Sequence, residues 1–181
     1  MEATEDGAAF EAMLTGGHPN SLGRTVEVVD LVLADRSRLE DLYDCYSSDD
    51  EVVRLRVSSA MKRVCLAEPD LLVPYLDRLL GEVSRIDQAS AKWTLAQLFL
   101  MLGDRMSDSQ RNRAEQVMKA NLEDCDDWIV QNRTMETLGE WAADDPALAA
   151  WLSPRLRERE GSHLKSVAKK AAKTLDALTG S

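Results

Sequence analysis

Residues 71–102 read LLVPYLDRLLGEVSRIDQASAKWTLAQLFLML, and this stretch decides the predicted fold. In its first half, apolar side chains such as Leu72 and Leu76 recur every three or four residues, and in its second half Leu95 and Leu98 do the same. That spacing is typical of one face of an α-helix. A polar segment separates the two halves, so the stretch predicts two helices joined by a short turn.

The same arrangement of helix, polar turn and helix recurs along the chain at a spacing of roughly 37 residues. The second helix of each pair is predicted over residues 52–66, 89–102, 128–142 and 164–178. One column of apolar residues in these helices is separated by 38, 36 and 37 residues: Val64, Leu102, Leu138 and Leu175. A single pair of this size cannot bury its apolar face, so neighbouring pairs must stack. We therefore predict an all-α fold, an α-solenoid of four helix pairs plus an N-terminal helix.

Two places depart from the regular pattern. Residues 1–20 are predicted to form an arm or capping helix that ends in a Gly-Gly-His-Pro-Asn breaker, and residues 21–181 form the repeat domain. The run from Leu22 through Val26 to Leu33 predicts a further helix, of the second type in a pair, that closes the N-terminal end. In the third unit Gln131 stands where the other units have Val57 and Leu95, which predicts that this helix starts about one residue out of register.

The repeated columns resemble HEAT repeats, the two-helix units of α-solenoid scaffolds, over roughly residues 21–178. HEAT units commonly carry an Asp in the turn, a small residue midway along the second helix and Leu-Gly at its end. The matching residues are Asp50 and Asp87, Ala60 and Ala171, and Leu102-Gly103 and Leu138-Gly139. Armadillo-type units stay an alternative, although about 37 residues leave no room for their third helix. The resemblance implies a curved superhelix whose second helices line the concave side.

If the second helices line the concave side, one stripe of their residues predicts a binding face. The stripe comprises Arg54, Ser58, Lys62, Lys92, Trp128, Asn132, Glu136, Lys165, Lys169 and Lys173. Arg and Trp are the side chains that dominate the energetic centres of protein interfaces. The resulting prediction is a non-catalytic scaffold or adaptor that binds a protein or peptide along these inner faces.

Charge narrows the class of partner. The chain carries a formal net charge of −10, so nucleic acid is not the expected ligand, since binding to its backbone depends on Lys and Arg neutralising phosphates. The charge is also uneven: residues 146–181 sum to +4 and residues 1–145 to −14. Head-to-tail self-assembly of the basic end on the acidic body is therefore an alternative function.

An enzyme is the other alternative. Four tryptophans fall in the second half, and Trp128 beside Asp126 and Asp127 is similar to the Trp and Asp of the alkylation-repair type of helical-repeat DNA glycosylase. Bilin lyases with HEAT-like repeats are a second enzymatic resemblance. The sequence contains no Gly-x-Ser-x-Gly, phosphate-binding Gly-rich loop or His-Glu-x-x-His motif, so no catalytic residue, metal or cofactor is predicted.

The three cysteines and the N-terminus indicate the compartment. Three is an odd number of cysteines, with no CxxC spacing, which favours reduced thiols. The first ten residues are acidic and lack the apolar core of a secretory signal, and no stretch is long and apolar enough to span a membrane. We therefore predict a cytoplasmic protein that makes no membrane contact.

Overall fold

The structure is a computed structural model that describes residues 5–18 and 21–180. These residues form helices and connecting turns, and no β-strand occurs among them, which confirms the all-α prediction. The α-helices are α1 (Glu5–Leu14), α2 (Thr25–Ala34), α3 (Leu39–Asp44), α4 (Glu51–Ala67), α5 (Leu76–Gly81), α6 (Ala89–Leu102), α7 (Asp108–Asp124), α8 (Trp128–Ala142), α9 (Pro146–Glu160) and α10 (Lys165–Thr179). None of them combines the length and apolar character needed to cross a membrane.

The chain divides into two compact units, Met1–Thr94 and Leu95–Ser181. In the first unit α4 is the central helix, with α1, α2 and α3 packed against it. It begins where the side chain of Asp50 accepts a hydrogen bond from the Val52 N–H at 2.8 Å, which satisfies one of the free donors at a helix N-terminus. Its residues Val53, Val57 and Val64 are fully buried.

The predicted first helix of the second repeat is broken into short pieces. A 3₁₀ segment runs over Pro69–Tyr75, α5 follows, and a second 3₁₀ segment covers Val83–Arg85. Pro74 has no N–H to donate to a preceding carbonyl, so a continuous α-helix cannot pass through it without losing a hydrogen bond. Apolar spacing predicted the position of this helix but not its interruption.

The run at residues 22–33 forms a helix as predicted, and only some of its apolar residues are buried. Leu22 is 44% exposed and Val26 is 48% exposed, whereas Val28 and Val32 are fully buried. Helix α2 begins only at Thr25, so Leu22 lies in the turn before it. The Pro19-Asn20 end of the predicted breaker lies outside the described residues.

In the second unit α8 packs against α7, α9 and α10. Side-chain caps mark the starts of α7, α8 and α9. Ser107 and Gln110 form a capping box on α7, Asp127 accepts the N–H groups of residues 129 and 130 on α8, and Asp145 accepts those of residues 147 and 148 on α9. Helices α6 and α8 begin and end at the residues that the repeat predicts.

Gln131 accounts for the irregular third unit. It is 7% exposed, and its amide donates to the backbone carbonyls of Leu122 at 2.9 Å and Cys125 at 2.5 Å. Its Oε1 accepts from Arg159 Nε at 2.7 Å. The predicted offset is present and is larger than one residue: Gln131 lies three residues after the start of α8, whereas Val57 and Leu95 lie six residues after the starts of α4 and α6. Gln131 fills the apolar column as a buried side chain with its hydrogen bonds satisfied.

Candidate functional site

A groove of about 300 Å³ opens on the surface of the first unit, and we call it the α4 groove. It is lined by Ser21, Leu22, Leu55, Arg56, Ser59, Lys62, Trp93 and Thr94. A volume of that order is at the lower end of ligand pockets in proteins, which run from about 300 to 1,000 Å³. The groove is therefore large enough to hold one or two side chains of a bound molecule.

Helix α4 supplies one wall of the groove. Leu55, Ser59 and Lys62 are spaced four and three residues apart, so they project from the same face of the helix. The first turns of α6 supply Trp93 and Thr94. This wall thus presents an apolar side chain, a hydroxyl and an amine in sequence along a single rigid helix.

The apolar part of the groove is open to solvent. Leu22, in the turn before α2, keeps 44% of its surface exposed, and Leu55 and Trp93 are partly buried. Exposed large apolar side chains are ordinary when they are scattered singly. Here one exposed and two partly buried apolar side chains line one concavity, which is the arrangement that receives an apolar side chain of a partner.

The floor of the groove contains a buried arginine. Arg56 is 2% exposed, and its guanidinium donates four hydrogen bonds to backbone carbonyls of the N-terminal segment. Nη1 binds the carbonyls of Leu14 and Gly16 at 2.6 Å each, Nη2 that of His18 at 3.2 Å, and Nε that of Ser21 at 3.2 Å. These partners are neutral, so they solvate the guanidinium without cancelling its charge.

Glycines allow the chain to wrap around this guanidinium. Gly23 has a φ of +51°, and a Cβ placed on it would lie 2.9 Å from Arg56 Cζ. Gly16 has a φ of +71°, and nothing lies within 4 Å of a Cβ built there. Gly23 is therefore required for two reasons, its backbone conformation and the close approach of Arg56, whereas Gly16 is required only for the first.

The charge of the groove is positive. Of its lining residues, Arg56 and Lys62 are the ones with ionisable side chains, and both are cationic. The charge of Arg56 also acts on Asp50. The pKa of Asp50 is lowered mainly by the hydrogen bond from the Val52 N–H and to a smaller extent by the Arg56 charge. A cleft whose walls carry one sign of charge attracts ligands of the opposite sign.

The four predicted residues of the first unit have different environments. Lys62 lines the α4 groove. Arg54, one residue before the groove residue Leu55, donates to Gln88 Oε1 at 2.8 Å and to the Ser48 carbonyl at 2.5 Å. Ser58 is 1% exposed, so a partner cannot reach it in this structure. Lys92 forms an ion pair with Asp87 at 2.7 Å.

In the second unit the predicted residues of α8 differ in exposure. Trp128, the first residue of the helix, is 50% exposed, while Asn132 and Glu136 are partly buried. Glu136 accepts hydrogen bonds from Arg133 at 2.8 Å and from Lys170 at 3.3 Å. Burial opposes ionisation of Glu136, and the two cations outweigh it and lower its pKa.

The predicted lysine stripe lies on the outer surface of α10. Lys165, Lys169 and Lys173 are all exposed, and Val167 and Ala171 on another face of the helix are buried. Lys173 and Glu136 also line a cavity of about 160 Å³ beside α8 and α10. Of the predicted residues in this unit, these two are therefore brought together.

The four tryptophans do not form one cluster. Trp93 lines the α4 groove, Trp128 is exposed, and Trp141 is 6% exposed with the Arg111 guanidinium 3.5 Å from its ring centroid. Trp151 is partly buried and is covered by basic side chains. Each ring packs in a separate environment, so an aromatic cluster for stacking a nucleobase is not formed within either unit.

One of the two acidic residues of the glycosylase resemblance, Asp127, has a structural role. Asp127 Oδ1 accepts hydrogen bonds from the N–H groups of Ile129 at 2.8 Å and Val130 at 3.0 Å, as an N-cap does.

Cys45 is buried, and burial together with nearby carboxylates raises its pKa to about 12, so it is a neutral thiol at physiological pH. Among residues 5–18 and 21–180, no group of three His, Cys, Asp or Glu side chains could hold a metal ion.

Arg78 lies in a cluster of side chains whose pKa values are strongly shifted. Its guanidinium lies 3.9 Å from the ring centroid of Tyr43 and pairs with Glu40 at 2.5 Å and Asp44 at 3.4 Å. Burial raises the pKa of Tyr43 well above its usual value, and the charge of Glu82 adds to that effect. These contacts connect α3 with α5, and the cluster is accounted for as packing between these two helices of the first unit.

Sequence reasoning missed most of the α4 groove. The apolar pattern places Leu22 and Trp93 in helix packing and gives no signal for Leu55, Arg56 or Ser59. The predicted stripe with the basic residues Arg54 and Lys62 is the signal that points to this part of α4. Comparison with known proteins gave no match: no family model matches the chain, and no significantly similar curated protein or solved structure was found.

Proposed function

We propose that this protein is a non-catalytic adaptor that binds a segment of another protein in the α4 groove. The observation that carries the proposal is the composition of the groove, in which the exposed Leu22 and the partly buried Leu55 and Trp93 lie beside two cations. Interfaces draw most of their affinity from a few apolar or aromatic anchors held in such concavities, with polar groups around them for specificity. Leu22, Leu55 and Trp93 form the anchor site.

The arrangement of the helices supports the same proposal. The second helices of the four predicted pairs occur at the expected spacing, as α4, α6, α8 and α10. We propose that they are units of a HEAT-like or armadillo-type solenoid, because helix pairs at this period stack into extended binding surfaces. Scaffold proteins of this architecture bind partners on helix faces, which agrees with a groove on the face of α4.

A random library of 12-residue peptides displayed on phage, selected against the full chain, tests the proposal. Selected peptides would be labelled and titrated by fluorescence anisotropy against the wild type and two variants. Leu22→Ser removes an exposed apolar side chain from the groove, and Leu66→Ser removes one outside it, since Leu66 is 66% exposed. Loss of a buried apolar anchor costs about 1.4 kcal/mol or more, so we expect Leu22→Ser to weaken binding about tenfold or more.

The control variant Leu66→Ser should bind as the wild type does. Equal affinity of the wild type and Leu22→Ser would show that the peptides bind elsewhere and would overturn the groove as the site. If selection enriches no peptide at all, the adaptor function itself fails.

A further inference from the structure

We propose that the exposed lysines of α10 bind, in a second copy of this chain, the turn that ends at Trp128, so that copies associate head to tail. The first surface, which we call the lysine face, consists of Lys165, Lys169 and Lys173. The second, which we call the Trp128 turn, consists of Asp124, Asp126 and Trp128. Both surfaces belong to the second unit, so the inference does not depend on the α4 groove.

The tryptophans of the second unit indicate what kind of group Trp128 binds. Trp141 is covered by Arg111, whose guanidinium carbon lies 3.5 Å from the ring centroid, and Trp151 is covered by Arg155 at 3.9 Å. Trp128 is 50% exposed, and no cation lies over its ring in the described part of the chain. Trp128 therefore lacks the cation that its two neighbours in this unit have.

Carboxylates hold the cations that cover Trp151. Arg155 pairs with Glu123 at 2.6 Å. Lys119 lies 4.7 Å from the same ring centroid and pairs with Glu115 at 2.6 Å. The face of an indole carries negative charge density and attracts a cation, and a carboxylate beside it attracts the same cation. Indole, cation and carboxylate thus form one type of contact in this unit.

The Trp128 turn supplies the indole and the carboxylates of such a contact. Asp124 and Asp126 are exposed, and within the described residues neither forms an ion pair, although the Asp126 charge acts on Arg159. Asp127 is excluded because it caps α8. A lysine completes the contact, since its hydrocarbon stem packs on the ring while its ammonium reaches a carboxylate.

The lysine face supplies the cations. Lys165, Lys169 and Lys173 are exposed and recur every four residues, so they project from one side of α10 over about 12 Å. The neighbouring Lys170 is different, because it pairs with Glu136 at 3.3 Å. For the three lysines of the face, no ion pair occurs with any residue that the structure describes. Their charge is therefore available to carboxylates of another molecule.

A second copy of the chain is the occupant because it brings both surfaces. Residues 146–181 sum to +4 and residues 1–145 to −14, so two copies attract each other where the basic end meets an acidic surface. The two surfaces differ, so each bound copy keeps one of them free and association continues beyond the dimer unless a ring closes. Exposed contacts of this kind are weak, and we expect association at protein concentrations on the order of 0.1–1 mM.

Charge reversal on each surface tests the contact. Sedimentation equilibrium of the full chain would give the average mass against concentration in about 0.1 M salt, where long-range repulsion between copies is screened. Lys165→Glu/Lys169→Glu and Asp124→Lys/Asp126→Lys each place like charges opposite one another, so each should weaken association at least about tenfold. The chain that combines all four substitutions keeps the net charge of −10 and should associate as the wild type does.

A mixture of the two reversal variants is the sharpest arm of the test. Each variant alone has surfaces of like charge, whereas the mixture offers each surface a partner of opposite charge, so the average mass should rise only on mixing. Trp128→Ser should weaken association about two- to fivefold, as expected for loss of one cation–π contact. Arg85→Glu/Arg157→Glu is the control, since it reverses two exposed arginines outside both surfaces and should leave association unchanged.

Three outcomes would overturn the inference. A wild type that stays monomeric up to about 1 mM would show that a second copy is not the occupant. Association that both reversal variants retain would place the contact elsewhere on the chain. Loss of association in each variant without recovery in the mixture or in the combined chain would show that the two surfaces do not meet. The adaptor function is tested separately, because its peptides bind the first unit.

Discussion

Replacing Arg56 by Met should detach the N-terminal segment from α4 and destabilise the first unit. Met keeps the length of the apolar stem but removes the guanidinium, so four backbone carbonyls lose their donor. The side chain is 2% exposed, and it is one of the largest fully buried side chains in the described residues. The change therefore affects a contact that solvent cannot easily replace.

The structure sets the size of the effect. Hydrogen bonds from a charged donor each contribute about 1.5–3 kcal/mol, so addition over the four bonds would give at least about 6 kcal/mol. The carbonyls of Gly16, His18 and Ser21 belong to exposed residues, however, and can turn to water. The buried Leu14 carbonyl cannot. We therefore expect a loss of about 3 kcal/mol, at the lower end of the cost of breaking a buried charged contact.

Urea denaturation followed by circular dichroism measures the free energy of unfolding, and native-state hydrogen exchange shows where protection is lost. Exchange should increase first in α1, whose Phe10 and Leu14 are fully buried only while the segment is docked. Arg36→Met is the control, because Arg36 makes an exposed ion pair with Glu68 at 2.9 Å. Such a pair contributes little to stability, so the free energy of unfolding should scarcely change.

The same contact can be tested from the loop side with a matched pair of glycines. Both Gly16→Ala and Gly23→Ala place a Cβ at positive φ, which costs about 1–2 kcal/mol in each case. Only Gly23→Ala also brings the Cβ to 2.9 Å from Arg56 Cζ, and displacing a well-packed group costs about 1–3 kcal/mol more. If Gly16→Ala and Gly23→Ala prove equally destabilising, or if Arg56→Met costs no more than Arg36→Met, the reasoning is refuted.

Three further predictions concern other parts of the chain. Gly139→Ala should destabilise the second unit by about 1–2 kcal/mol although Ala favours helix, because its Cβ would lie 2.5 Å from Thr174 Cγ2. Adding Thr174→Ser to the same chain removes that methyl group and should restore stability in thermal denaturation. Absence of rescue would contradict this contact. Gln131→Leu should cost about 1–3 kcal/mol in urea denaturation, since the Cys125 carbonyl loses its donor and Arg159 Nε loses its acceptor, and a stabilised variant would contradict this. The pKa of Asp50 is lower in the folded state than its unfolded value near 3.8, so ionised Asp50 stabilises the fold at pH values above 3.8 and this contribution is lost as the pH falls. The difference in free energy of unfolding between the wild type and Asp50→Asn should therefore shrink on acidification from pH 6 to pH 3. A constant difference would count against this reasoning.

The extents of the second helices were predictable because their ends are marked in the sequence. Asp50 and Asp127 cap α4 and α8, and each precedes a run of apolar residues at helical spacing. Short polar residues satisfy the free N–H groups of a helix start, so they mark that start in sequence. The start of the predicted helix over residues 52–66 lies within one residue of the observed one, and that over 128–142 matches at both ends.

The rotation of a helix about its axis was less predictable than its extent. On α4 the predicted binding stripe was Arg54, Ser58 and Lys62, whereas the groove is lined by Leu55, Ser59 and Lys62. One residue corresponds to a rotation of about 100°. Polarity normally marks the outward face, but on α4 Ser58 is buried and Leu55 is partly exposed, so the pattern indicates the wrong side.

The same kind of contact explains two buried polar side chains whose role helical periodicity does not predict. Arg56 on α4 and Gln131 on α8 are both buried, and both donate to backbone carbonyls of the preceding segment. Arg56 binds the carbonyl of Leu14, the last residue of α1, and Gln131 binds that of Leu122 in the last turn of α7. The last carbonyls of a helix have no partner within it, and burying them requires a donor from elsewhere. A buried polar residue of this kind therefore marks where the end of one helix is buried against another, and in the first unit that same residue contributes positive charge to the α4 groove.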